Sequence, residues 1–249
     1  MSRTLVIAEA GCTWRYGSDH LAIAERSIRE AKAAGADCWK TQWTSNGPAM
    51  AKRRGLDDAA GSMYSKYLMF PQDWLPKLKA MCDEAGIEFM CTVYLPQDIP
   101  AVALLVNRLK VSAFEGRSVE FIDAHIPYVN AGKELIISVN SFSAIFKRDE
   151  SMKSLLCVSK YPTPIEELGL ARLRHAPGGC DGLSDHTTST LTGALCVAAG
   201  GTIVEKHVRL WDTPPDNPDH GHSLILDSDG EEMSFAEYVR NVREAERCM

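Results

Sequence analysis

The phrase AAGADCWK (residues 33–40) returns three more times in varied form, as EAGIEFMC (84–91), NAGKELII (130–137) and AAGGTIVE (198–205). Each time a helix-like stretch reaches a glycine, and within a few residues the chain enters an apolar run. Glycine takes the left-handed conformation that closes a helix at little cost, so the phrase reads as a helix stop followed by a buried strand. Working outward, strand-like runs fall at 4–10, 37–43, 87–94, 108–113, 134–139, 154–161, 180–186 and 202–208. Helical patterns fall at 18–35, with Ser18 as N-cap, and at 71–86, 97–106, 118–129, 141–149, 165–174, 188–199 and 234–248. TLVIAEA (4–10) is apolar on nearly every residue, as a parallel strand covered on both faces must be. Residues 44–70 are a long polar, glycine-bearing connection and a candidate lid or insertion.

Alternating strands and helices fit either a doubly wound sheet or a closed barrel. No GxGxxG follows the first strand, which argues against the dinucleotide-binding version. Eight strand–helix units with nothing left over favour a single-domain (β/α)8 TIM barrel spanning residues 1–249. The formal net charge of -6 leaves no basic footprint for nucleic acid. No apolar run is long enough to span a membrane, and no charged n-region with an apolar h-region precedes the first strand. The eight cysteines are scattered without a CxxC pair, so they are expected to be small core hydrophobes, Cys91 and Cys157 among them, in a reducing, cytoplasmic setting.

A barrel of this kind carries its chemistry at the C-terminal strand ends. Reading those ends gives Glu9; Lys40 and Gln42; Thr92; Lys110 with Glu115; Ser138; Ser159; Ser184 with Asp185 and His186; and Glu205, Lys206 and His207. Two lysines among hydroxyls make a pocket for phosphate or carboxylate oxygens. Two imidazoles from adjacent strands can share a divalent metal, and a carboxylate such as Glu9 or Asp219 can orient a water beside it. Taken singly, each of these has a bland structural reading; it is their gathering on one rim that suggests a site. No Gly-x-Ser-x-Gly elbow supports a serine nucleophile.

LVIAEAG (5–11), AKAAGADCWKTQ (31–42), LKVSAFE (109–115), CVSKYPTP (157–164), GLSDHT (182–187), EKH (205–207) and NPDHGHSL (217–224) occur in that order. Together they resemble the barrel of the N-acetylneuraminate (sialic acid) synthases, which condense phosphoenolpyruvate with an amino-sugar aldehyde. The resemblance implies that His186 and His207 bind a manganese-type divalent ion (Mn2+, with Mg2+ and Co2+ as alternatives). It implies that Lys40, Thr92, Lys110, Ser138, Ser159 and Ser184 hold phosphoenolpyruvate. Glu9, Gln42, Glu115, Tyr161 and Asp219 then face the sugar or the metal-bound waters, with Glu9, Asp219 and Glu115 as the catalytic carboxylates.

The departures from that family lie mostly on the acceptor side. GCTWRYGS (11–18) stands where a Gly-x-Asn-His-x-Gly segment is usual, Ala113 stands where a serine is common, and IISVNSF (136–142) keeps only Ser138. The C-terminal antifreeze-like domain of larger members, which supports their dimer and reaches the partner's sugar site, is not expected here; a barrel-to-barrel homodimer stays open. The expected acceptor is therefore an aldose or amino sugar other than N-acetylmannosamine, or one recognised through residues 44–70. A metal-dependent pyruvate aldolase and a non-catalytic sugar-binding relative are the alternatives.

Overall fold

Parallel strands that are apolar on both faces leave no edge that can face water, and the chain solves this by closing the sheet on itself. The computed structural model describes residues 3–140, 150–171, 173, 179–228 and 233–249. In it, β1 (Leu5–Gly11), β2 (Cys38–Trp43), β3 (Glu88–Val93), β4 (Arg108–Val111), β5 (Glu134–Val139), β6 (Met152–Cys157), β7 (Gly182–Asp185) and β8 (Ile203–Arg209) pair in chain order. All these pairings are parallel, and β1 also pairs with β8, which closes an eight-stranded barrel. A ninth strand, β9 (Leu224–Ile225), adds to the end of β8 through Val208 and Arg209.

The helices between strands are shorter than the apolar periodicity suggests. α1 (His20–Ala33) starts one residue later than expected, because the Asp19 carboxylate rather than Ser18 accepts the Ala22 amide. Residues 44–70 are not a bare loop: α2 (Gly47–Arg53) and α3 (Asp58–Leu68) pack there, N-capped by Asn46 and Asp57. α4 (Trp74–Ala85) closes on Gly86 in the left-handed conformation. After α5 (Ile99–Ala103), the helix expected at 118–129 divides into α6 (Val119–Asp123) and α7 (Ile126–Asn130), because Pro127 has no amide to continue the ladder. α8 (Thr192–Ala198) and α9 (Phe235–Arg247) complete the ring, while the helix expected at 141–149 lies outside the described residues. Of the helix expected at 165–174, Ile165–Glu167 forms a 3-10 turn, and residues 172 and 174 lie outside the described residues. No helix among the described residues is long and apolar enough to cross a membrane.

The barrel interior is layered. Ile7, Cys38, Met90, Ile136, Leu155 and Ile203 form a separate buried cluster, an apolar plug, while the larger core fills the space between the outer strand faces and the helices. Strand side chains alternate faces, so the next inward residue on each of these strands lies two positions on. β6 ends at Cys157, short of the expected 161, because the chain turns there: the Val158 carbonyl accepts from the Lys160 amide and from His186 instead of from a neighbouring strand.

β7 approaches β8 so closely at its first residue that a Cβ on Gly182 would lie far inside van der Waals contact distance of the Ile203 carbonyl oxygen. Gly182→Ala should therefore destabilise the protein by about 1–3 kcal/mol as an overpacking change. Urea unfolding should show a lower midpoint with an unchanged slope. A wild-type midpoint would mean the two strands tolerate separation there.

Candidate active site

Two residues beyond the plug, the barrel interior turns polar. Glu9, Lys40, Thr92, Ser138, Cys157 and Glu205 follow Ile7, Cys38, Met90, Ile136, Leu155 and Ile203 at this spacing, with Lys110 and Ser184 completing the layer. Lys40 pairs with Glu9, donates to Thr92 at 2.9 Å and stands 3.6 Å from Glu205. Lys110 donates to Ser138 at 2.8 Å and stands 3.5 Å from Glu205, which also accepts from Ser184 at 3.0 Å. Burial, reinforced by the charge on Glu205, raises the Glu9 carboxyl to about 7. Burial works against the charge on Lys40, yet Glu205 and Glu9 hold this ammonium above its ordinary value. Lys110 is pushed down by burial, only partly offset by Glu205. Burial also opposes ionisation of Glu205, but Lys110 and Lys40 outweigh it and bring the carboxyl below its usual value.

One layer further out, Gln42, Ser159, Tyr161, His186 and His207 face the same cavity of about 480 Å³. Gln42 donates to Glu9 at 2.9 Å and accepts from Tyr94 at 2.5 Å. His186 holds the Val158 carbonyl oxygen at 2.8 Å through Nδ1, so this nitrogen carries the proton and Nε2 keeps its lone pair. Burial drives His186 down to about 4 and His207 well below its ordinary value, which keeps both imidazoles neutral and able to ligate. Their ring centres are 5.4 Å apart. A tighter group surrounds His207: one donor atom each from His207, Asp219 and His222 fall within 4.8 Å of one another. Gly11 makes room for it, since a Cβ there would collide with the Asp219 carboxylate.

Comparison with known proteins agrees with this barrel. Residues 27–249 match the family described as NeuB. The chain belongs to the NeuB family.

An uncharacterized protein of Methanocaldococcus jannaschii is 29% identical, over 99% of this chain and 72% of its own length. Pseudaminic acid synthase of Campylobacter jejuni is 26% identical over 99% of this chain and 75% of its own. Human N-acetylneuraminate-9-phosphate synthase is 28% identical over 98% and 70%. Among solved structures, a sialic acid synthetase of Leptospira borgpetersenii superposes with a TM-score of 0.82 at 22% identity, covering 99% of this chain and 85% of that one. Its likeness speaks for the fold. The relatives named for an activity are synthases, and this NeuB-family chain is an enzyme of their kind.

Of the thirteen residues to which the resemblance gives a role in this NeuB-family chain, twelve line the cavity, and Glu115 does not. Its carboxylate is taken up behind the wall by Ser112 and by both arms of Arg54, at 2.9 and 2.7 Å. Asp185 and Lys206, read as rim residues, point the other way. They pair at 3.1 Å in full burial on the outer face, Lys206 lying over Tyr238 of α9, because neighbouring strand residues alternate sides. Cys157, expected in the core, lines the cavity, whereas Cys91 does pack in the core. Residues not singled out also reach the cavity: Arg54 and Tyr64 from the 44–70 segment, Tyr94, and His222. The histidine pair of DHGHSL was the available signal for His222, but its position depends on where β9 returns to the barrel.

Because Glu9 titrates near 7, it is mostly neutral below that pH and mostly anionic above it. Sulfate, a probe of constant charge, should bind the lysine layer more weakly as pH rises from about 6 to about 8, since ionised Glu9 then competes for Lys40. Calorimetric titration should show this slope in the wild type and a flattened one in Glu9→Gln. Identical slopes in the two proteins would refute the assignment.

Proposed function

We propose that this enzyme condenses phosphoenolpyruvate with the open-chain aldehyde of an aldose or amino sugar, giving a sialic-acid-like 2-keto acid and free phosphate. The observation that carries the reading is the buried pair Lys40 and Lys110, set among the Thr92, Ser138 and Ser184 hydroxyls one layer beneath neutral imidazoles. Ammonium groups and hydroxyls fixed in this way suit a small molecule bearing phosphate and carboxylate, and they need not reorganise as charge shifts during reaction.

His186 and His207 are the proposed holders of a divalent cation, manganese in type; the neutral rings and the unpartnered His207 Nδ1 suit that role. Such a cation, when bound, supplies Lewis acidity to an aldehyde oxygen. The chain's own residues do the rest. Lys40 and Lys110 orient phosphoenolpyruvate so that its carbon 3 faces the aldehyde carbon and a new carbon–carbon bond can form. Glu9, whose carboxyl titrates near neutrality, or Asp219 takes a proton from the water that adds at carbon 2 and passes a proton to the aldehyde oxygen. The remaining hydroxyl proton is lost to phosphate as it leaves and the 2-keto group forms. Arg54, paired with Glu115 and set beside Tyr64, Tyr94 and Phe114, offers the acceptor sugar a polar, aromatic-flanked wall from the 44–70 segment.

The deciding experiment follows phosphate release from phosphoenolpyruvate with manganese, across N-acyl hexosamines, neutral sugars and simple aldehydes. Release that requires both one acceptor and His207, with His207→Ala as the blank, supports the reading. Manganese binding without release for any acceptor would sink it. Arg54→Ala should raise KM for that acceptor by about tenfold, about 1.4 kcal/mol, while leaving KM for phosphoenolpyruvate near its wild-type value. Equal rises in both constants would place Arg54 outside the acceptor site.

A further inference from the structure

His222 is a buried histidine, 3% exposed, whose Nε2 has no hydrogen-bond partner. It lies 3.7 Å from one oxygen of Asp219, and the equally unpartnered Nδ1 of His207 lies 3.8 Å from the other. Both separations are too long for hydrogen bonds. A buried polar nitrogen left without a partner is unfavourable, so two of them converging on one carboxylate need a reason. Ligands each about 2.1 Å from a single cation stand roughly 3–4 Å apart; both contacts to Asp219 have that spacing, and the donor atoms of all three residues lie within 4.8 Å of one another.

The fold holds this arrangement in place from both sides. β9 pairs with β8 immediately after His207, Val208 facing Leu224, so the turn carrying Asp219 and His222 is tied to the strand that carries the first imidazole. Within the turn, Asn217 accepts the Asp219 amide at 3.1 Å and Ser223 donates to the Asp219 carbonyl at 2.5 Å. The rings of His207 and His222 stand 4.6 Å apart, centre to centre. His220, in the same short turn, does not line the cavity.

We infer that His222 is a further ligand of the divalent cation, joining His207 with Asp219 between them, beyond the two histidines expected from the sequence. The inference rests on the reading that this cavity holds a cation. A third imidazole makes the donor set richer in nitrogen and so shifts preference from magnesium toward cobalt and zinc.

The test titrates Co2+ into metal-stripped wild type, His222→Ala, His222→Gln and His220→Ala, reading the visible d–d absorption and the dissociation constant. Both His222 variants should bind Co2+ about tenfold or more weakly, with altered bands, while His220→Ala matches the wild type. His222→Gln keeps a polar side chain of similar length, and thermal unfolding of the metal-free proteins checks that the variants fold. Wild-type affinity and spectrum in a folded His222 variant would overturn the inference. A wild type that takes up no Co2+ would overturn it together with the cation itself. Co2+ uptake that depends on His222, in a protein that releases no phosphate from phosphoenolpyruvate, would uphold the inference while removing the proposed reaction.

Discussion

An ammonium group buried in a protein interior is costly unless a carboxylate stands beside it, and this barrel buries two of them in one layer. Glu205 lies between Lys40 and Lys110, and Glu9 closes on Lys40 from β1. The rest of the interior is arranged around that neutralisation. β8 must supply Glu205 from its inner face, and so it also supplies His207 two residues on, at the next level outward. Lys40 is thereby held above its ordinary value and the downward push of burial on Lys110 is partly offset, at the cost of a carboxyl, Glu9, that sits close to its own titration point.

The same alternation that brings Glu205 and His207 inward sends Lys206 outward, where it meets Asp185 in a fully buried pair behind the two imidazole-bearing strands. Thr187 and Thr192 satisfy Asp185 there, and the Thr187 carbonyl accepts from Lys206 at 2.5 Å. Two ionic clusters thus lie on opposite faces of one pair of strands. The outer one holds β7 and β8 to the helix layer; the inner one faces the cavity.

Much of this could be read from the chain itself. The repeated helix-stop phrase located the strand entries, and eight units matched a barrel that closes through β1 and β8. Strand-end polar residues fell together because a parallel barrel turns every strand's C-terminal end to the same side. What escaped reading depends on facts not carried by local pattern. Asp185 and Lys206 stand among the strand-end polar residues in sequence, yet strand alternation turns both to the outer face. Arg54 follows a seven-residue helix whose docking, not its composition, brings the guanidinium to the cavity. Glu115 lay near the rim in sequence, yet the same arginine draws it behind the wall. His222 owes its place to a two-residue strand, too short to show any periodicity.

The apolar plug has a further consequence. Ile7, Cys38, Met90, Ile136, Leu155 and Ile203 seal the barrel beneath the lysines, so the cavity has a floor and its traffic uses the other end. The lysine layer is two strand residues deeper than His207, roughly 6–7 Å at the usual rise. Two molecules meeting in such a well cannot exchange places. For the proposed condensation the molecule destined for the floor has to enter first, and phosphate freed there can leave only after the joined product above it has gone, so the geometry favours a queue.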